Sequence, residues 1–226
     1  YDIFAQIYSP KGEIVKSEFI LNSVSNNDQV SPNITNLASG GFATSWIDES
    51  ADSKLTVSLR TFDASGNTVL DKEIQLNSAN SVGGAKPEIA GLADGSFVIT
   101  WAADDGDQLG IYASKYDADG NALFEEKIIN QEVTGVQTEP HIVALEDGGY
   151  LITWADVQPQ AGLSSINGQQ FDAQDQSVNG TFEVGVVADY GSDEAVAADA
   201  SVVTQESTVA DASQSSLENL IDDNNN

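Results

Sequence analysis

The 226-residue chain repeats one pattern of residues three times, and this repeat constrains the fold more than any other feature. Each copy has an Asn, a Pro ten residues later and a Trp fourteen residues after the Pro, and an aromatic residue precedes the Asn by 14 or 15 positions. The period of about 54 residues predicts a series of similar structural units. The marker residues are Tyr8, Asn22, Pro32 and Trp46; Phe62, Asn77, Pro87 and Trp101; and Tyr116, Asn130, Pro140 and Trp154, while Phe171 opens an incomplete fourth copy.

Each copy is expected to form four short antiparallel strands. In the third copy, residues 111–116 alternate in polarity, and an Asp-Gly turn at 117–121 leads to a return strand that ends at Asn130. Residues 140–145 and 150–154 make the second pair of strands, on either side of a Gly-Gly turn. Gly accepts the positive φ that such tight hairpins need. Both faces of the strands are largely apolar, so each unit must be covered on both sides.

These features predict an all-β fold of repeated four-stranded antiparallel units, arranged as β-propeller-like blades in a partial arc of about 3.5 units. A β-sandwich array or a solenoid is the alternative. We expect a β-repeat region over 1–183 and an acidic low-complexity linker or tail over 184–226, which has few bulky residues and no Lys or Arg. The chain contains no Met, and we expect it to be part of a longer protein. The predicted units are 1–54, 55–108, 109–163 and the partial unit 164–183.

Charge and composition exclude several classes of function. The chain has 36 Asp and Glu against 8 Lys and Arg, a formal net charge of −28. This charge opposes binding to nucleic acid and to acidic membrane surfaces, and no apolar run is long enough to insert into a membrane. The absence of Cys excludes disulfides, thiolate nucleophiles and Cys-type metal sites, and one His excludes a multi-His site.

The repeat also resembles a known family. Pro87 to Trp101, residues 111–122 and Pro140 to Trp154 match the repeat of about 50 residues found in large secreted bacterial proteins, the RTX-type calcium-binding proteins and adhesins exported by type I secretion. The resemblance covers about residues 1–183. It implies an extracellular or cell-surface location and a non-enzymatic adhesin, scaffold or interaction surface, with calcium as the candidate cofactor. The implied partner is a protein or carbohydrate surface ligand of unknown identity.

Two acidic segments are candidate calcium sites. Asp117, Asp119 and Asn121 place oxygen side chains at alternate positions of one turn, which is how an EF-hand loop begins. Ile128 stands where that loop needs a bidentate Glu, so an ordinary Asp-rich hairpin turn is the alternative. A weaker candidate, Asp104, Asp105 and Asp107, follows Trp101, and solubility alone would also explain its charge.

Enzymatic interpretations of the sequence find less support. The strict position of the Trp residues favours packing between blades over a carbohydrate-stacking surface. His141 replaces Asn33 and Glu88 of the other copies, which indicates a solvent-facing strand residue rather than a catalyst. Sialidase chemistry needs several Arg residues, and Arg60 is the only one. We therefore predict no enzyme, and keep a polysaccharide-acting hydrolase with two carboxylates as the alternative.

Overall fold

The computed structural model describes residues 1–49, 55–70, 72–76, 86–158 and 163–188, without the side chains of residues 163 and 186–188. These ranges contain strands and no helix, and within them no helix is long and apolar enough to cross a membrane. The predicted tail lies outside the described residues from 189 onward. The strands are β1 (Phe4–Tyr8), β2 (Ile14–Ile20), β3 (Asp28–Asn36), β4 (Phe42–Glu49), β5 (Leu55–Phe62), β6 (Ile74–Leu76), β7 (Glu88–Gly91), β8 (Phe97–Asp104), β9 (Leu109–Tyr116), β10 (Ala122–Ile128), β11 (Val136–Ala144), β12 (Tyr150–Gln158), β13 (Leu163–Phe171) and β14 (Ser177–Ala188).

The strands form three four-stranded antiparallel blades preceded by one two-stranded hairpin. The hairpin is β1–β2, and the blades are β3–β6, β7–β10 and β11–β14. One parallel pairing, between Val136 and Leu109, joins the last two blades into a larger sheet. The prediction of an all-β fold with propeller-like blades is therefore confirmed.

The sequence repeat and the structural blade are out of phase. A predicted unit such as 55–108 begins at the third strand of one blade and ends after the second strand of the next. Residues 1–49, for example, contain the hairpin β1–β2 and then the first two strands of the blade β3–β6. Each repeat therefore spans two blades, and its regularly spaced marker residues lie on both sides of the contact between those blades.

The core lies between blades, because each blade presents its Trp to the blade before it. Trp101 is fully buried in a cluster with Val57 and Leu59 of the preceding blade. Trp154 is 2% exposed and packs with Ile111 and Ala113 of β9 in the same way. Trp46 packs on the hairpin β1–β2 through Ile3 and Leu21. Burial of large aromatic surface on both faces of a sheet is the main stabilising term in such a stack.

The first strands of successive blades lie against one another and form the inner edge of the arc. Strand β3 contacts β7, and β7 contacts β11. The approach is close: a Cβ on Gly91 would lie 2.2 Å from the carbonyl oxygen of Asn36, so Gly is required there. The N–H of Gly91 also donates to Oγ1 of Thr35 at 2.9 Å. The inner edge therefore brings together residues that lie more than 50 positions apart in sequence.

Candidate functional site

The first candidate calcium segment is a hairpin turn that uses its own carboxylate. Oδ1 of Asp117 accepts the backbone N–H of Asn121 at 2.8 Å, and Oδ2 accepts its side-chain amide at 2.9 Å. The hydrogen bond from the Asn121 side chain lowers the pKa of Asp117. Asp63 and Asn67 repeat the same two bonds in the preceding blade. This geometry is that of the alternative, an Asx-type turn.

The second candidate segment, between β8 and β9, is likewise tied by bonds to backbone N–H groups. Asp104 accepts from the N–H of Gly106 at 2.8 Å, and Asp105 accepts from that of Asp107 at 3.0 Å. Asp107 reaches the next blade and accepts from the N–H of Gly135 at 3.2 Å. Among the described residues, no group of three acidic or His side chains has the arrangement of a metal site. Calcium binding at either segment stays a prediction.

The structure places the Trp residues and His141 as the sequence indicates. All three Trp rings are buried between blades, so none of them offers a face to a sugar. His141 is exposed on β11. Arg60 is 8% exposed and donates to the backbone carbonyl of Leu21 at 2.9 Å, so it is a packed structural residue.

Two buried polar networks occupy equivalent positions in the first and third blades. In the third, the Asn130 side chain donates to Oε1 of Gln137 at 3.1 Å, and the Gln137 side chain donates to Oδ1 of Asp156 at 3.4 Å. Burial raises the pKa of Asp156, whose other oxygen accepts from Asn167 at 3.2 Å. The residue is only 4% exposed, so it is closed to a substrate.

The network in the first blade is built from Asn22, Gln29 and Asp48. The Asn22 amide donates to Gln29 at 3.4 Å, and burial raises the pKa of Asp48. The middle blade has Ala103 at the position of Asp48. The shared spacing of Asn, Gln seven residues later and Asp two residues after the Trp is visible in the sequence. It marks a structural link between blades that the predictions from sequence did not include.

The inner edge carries backbone strain at the same position of every repeat. The residue before each marker Pro has a positive φ although none is Gly: 53° at Ser31, 26° at Lys86 and 51° at Glu139. Two of these residues lie at register shifts, in β3 between Val30 and Asn33 and in β11 between Thr138 and His141. A residue before Pro is normally extended, and left-handed backbone in a non-Gly residue costs on the order of 1–3 kcal/mol. Such strain clusters at functional sites.

The strained residues bring charged groups together. Nζ of Lys86 contacts Oε1 of Glu139 on the next blade, and both side chains are more than half exposed. The hydrogen bond from Lys86 lowers the pKa of Glu139, and the charge of His141 acts in the same direction. Glu88 is half-buried two positions after Lys86, at the repeat position of His141. We call the residues at these two repeat positions, immediately before and after the marker Pro, the inner-edge cluster: Ser31, Asn33, Lys86, Glu88, Glu139 and His141. In the sequence, the repeated marker Pro is the feature that could have identified these positions.

A second pair of carboxylates lies away from the inner edge. Glu125 and Glu126 occupy the irregularity of β10 between Phe124 and Lys127. Together with Tyr116 they line an open groove of about 430 Å³ beside β6. These carboxylates stand on the outermost strand of the blade, and this pair provides a natural control for the inner-edge cluster.

Comparison with known proteins finds similar solved structures but no match by sequence. No family model matches the sequence, and no curated protein matches it. Among solved structures the chain is similar to a thermostable family-43 glycoside hydrolase, with 14% identity, a TM-score of 0.46, and coverage of 68% of this chain and 55% of that one. It is also similar to a Hadza microbial sialidase, with 14% identity, a TM-score of 0.49, and coverage of 74% of this chain and 38% of that one. A third similar structure is an endo-arabinase from Bacteroides thetaiotaomicron, with 16% identity, a TM-score of 0.46, and coverage of 71% of this chain and 66% of that one.

This comparison corrects two predictions. We expected a non-enzymatic adhesin or scaffold, and we expected no enzyme, but the similar structures are carbohydrate-active enzymes. At these identities the likeness concerns the fold alone, and the chain spans between 38% and 66% of those proteins. The resemblance to RTX-type repeats, and with it the extracellular location and type I secretion, stays a prediction.

Proposed function

We propose that this chain is the sugar-contacting part of a polysaccharide-acting hydrolase and that the inner-edge cluster is its site. Glycoside hydrolysis needs two carboxyl groups, one that donates a proton to the leaving oxygen and one that stays ionised as base or nucleophile. Glu139 fits the second role, because Lys86 holds its pKa low. Glu88, half-buried on the neighbouring inner strand, is the proton donor of the proposal.

The observation that carries the proposal is the contact between Lys86 and Glu139 at two strained positions. A surface ion pair adds at most about 1 kcal/mol of stability, less than the backbone strain at the two residues costs. Stability therefore does not account for the pair, whereas a function that needs a fixed, ionised carboxylate does. The exposed side chains are open to a polymer lying along the inner edge.

The experiment measures release of reducing ends from a panel of polysaccharides that includes arabinan and xylan. We expect Glu139→Gln and Glu88→Gln each to lower kcat by about 100-fold or more, the scale of a lost acid or base. Glu125→Gln and Glu126→Gln are matched controls, since they remove carboxylates away from the inner edge. The proposal is wrong if no polymer is cleaved, or if the control variants lose as much activity as the inner-edge variants.

A further inference from the structure

Strand β1 has an edge that no described strand covers, whereas each equivalent strand is paired on both sides. Strands β5, β9 and β13 lie between the Trp strand of their blade and the fourth strand, and each pairs with the Trp strand over eight or nine residues. Strand β1 pairs with β2 alone among the described residues. The blade to which β1 and β2 belong therefore lacks its inner two strands in the described part of the chain.

Among the described residues, the aromatic marker of β1 has no ring like those that its equivalents stack on. Phe62, Tyr116 and Phe171 stack on the first residue of their Trp strand, with ring centroids 4.9, 5.7 and 4.9 Å apart. These three rings are 1%, 6% and 4% exposed. Tyr8, at the same repeat position, is 56% exposed. By analogy, the repeat predicts for Tyr8 an aromatic neighbour on a strand antiparallel to β1.

Ile34 on β3 is exposed where its equivalents are packed, which indicates the same uncovered surface. Ile89 and Ile142, each two positions after the marker Pro, pack into the core shared with the preceding blade. Ile34 stands at that position in β3 and is 59% exposed. Ile34 and Tyr8 line one groove of about 420 Å³ between β1 and β3. Both walls of this groove are surfaces that the repeat buries elsewhere.

We propose that this groove, which we call the β1 groove, docks an inner hairpin of the same repeat type that is not already part of a blade. Its second strand would pair antiparallel with β1 and place an aromatic residue on Tyr8, with a Trp four residues later as in Tyr150 and Trp154. Its first strand would lie against β3 as β3 lies against β7, and would cover Ile34 as the preceding blade covers Ile89. Main-chain bonds provide affinity in such strand addition, and the side-chain pockets provide specificity.

The test uses the full chain and a synthetic peptide of residues 136–158, which carries the hairpin β11–β12. Binding is measured by fluorescence anisotropy of the labelled peptide. We expect saturable binding that Tyr8→Ala and Ile34→Ser each weaken at least tenfold. Both side chains are exposed, so these variants retain the fold. Leu123→Ser is the matched control, because it removes an equally exposed apolar side chain on β10 and leaves binding unchanged.

Other occupants give different results. Protection from hydrogen exchange, in the free chain, of those β1 amides that do not bond to β2 would show that the chain's own C-terminal residues fill the groove. A concentration-dependent dimer that Ile34→Ser abolishes would show that a second copy does. Either result, or a peptide that fails to bind, overturns the proposal. Binding that is equal for Ile34→Ser and the wild type overturns it as well.

Discussion

The side-chain oxygen of Asn130 accepts a hydrogen bond from the backbone N–H of Ile111 at 2.7 Å, and Asn22 accepts from Ile3 at 2.8 Å in the same way. Each bond spans 19 residues and joins the end of a fourth strand to the start of the third. The amide of the same Asn then donates to a Gln at the start of the next blade. One residue type therefore closes a blade and attaches it to its neighbour.

We expect Asn130→Ala to lower the free energy of unfolding by about 2–4 kcal/mol, because it leaves the buried N–H of Ile111 without its acceptor and Oε1 of Gln137 without its donor. The measurement is urea unfolding followed by Trp fluorescence. Gln131→Ala, at the exposed neighbouring position, is the control and should change stability by less than about 0.5 kcal/mol. Similar losses in both variants would contradict a special role for Asn130.

The buried Asp156 should make stability fall as pH rises. Burial raises the pKa of Asp156 above its ordinary value of 3.8, so the folded state binds this proton more tightly than the unfolded state does. Its contribution is most favourable below 3.8 and is lost as the pH rises through the higher pKa of the folded state. Unfolding measured from about pH 3 to about pH 7 should show this slope in the wild type relative to Asp156→Asn. Glu146→Gln, which is exposed, should leave the slope unchanged.

Lys86→Met should move the acidic limb of the activity profile to higher pH. The lysine lowers the pKa of Glu139, and without it the carboxyl must be titrated at a higher pH before it is ionised. Stability should change by less than about 1 kcal/mol, because the pair is exposed. If the acidic limb of the activity profile stays at the same pH in this variant, Lys86 does not control the ionisation of Glu139 in the proposed reaction. Lys11→Met, in an exposed turn of the hairpin β1–β2, is the control for loss of a positive charge.

The calcium prediction is tested at the turn that holds Asp117. Binding there predicts a higher melting temperature in calcium than in EDTA, and loss of that difference in the double variant Asp117→Asn, Asp119→Asn. The bonds from Asn121 instead favour a turn that needs no ion, so that Asp117→Ala costs about 1 kcal/mol in either buffer. Asp63→Ala, in the equivalent turn of the preceding blade, should then cost a similar amount.

Trp101→Ala should lower stability by about 3–5 kcal/mol, since the ring is fully buried between two blades. Leu123→Ala, more than half exposed, should cost less than about 0.5 kcal/mol. At temperatures where the variant remains folded, its affinity for any polysaccharide that the proposed site binds should equal that of the wild type. A selective loss of affinity would instead indicate a sugar-stacking role for this ring.

The amino-acid sequence by itself determined the local structure of this protein. Alternating polarity and Gly-containing turns specify the strands and hairpins, because strand faces and turn conformations depend on residues a few positions apart. The fixed positions of the Trp residues predicted their burial, since a ring that recurs in every unit must meet the same neighbour in each. The third and fourth strands of the copy around Tyr116 were predicted within a few residues of β11 and β12.

The tertiary structure decided which equivalent residues differ in their surroundings. Tyr8 and Phe62 occupy the same repeat position, but only Phe62 has a Trp strand beside it among the described residues. Lys86 and Glu139 are 53 residues apart and meet because two inner strands pack together. A residue's local sequence encodes the conformation of its strand, but not the neighbour that the next blade brings to it. The candidate site and the β1 groove follow from those neighbours, so they became visible only in the assembled blades.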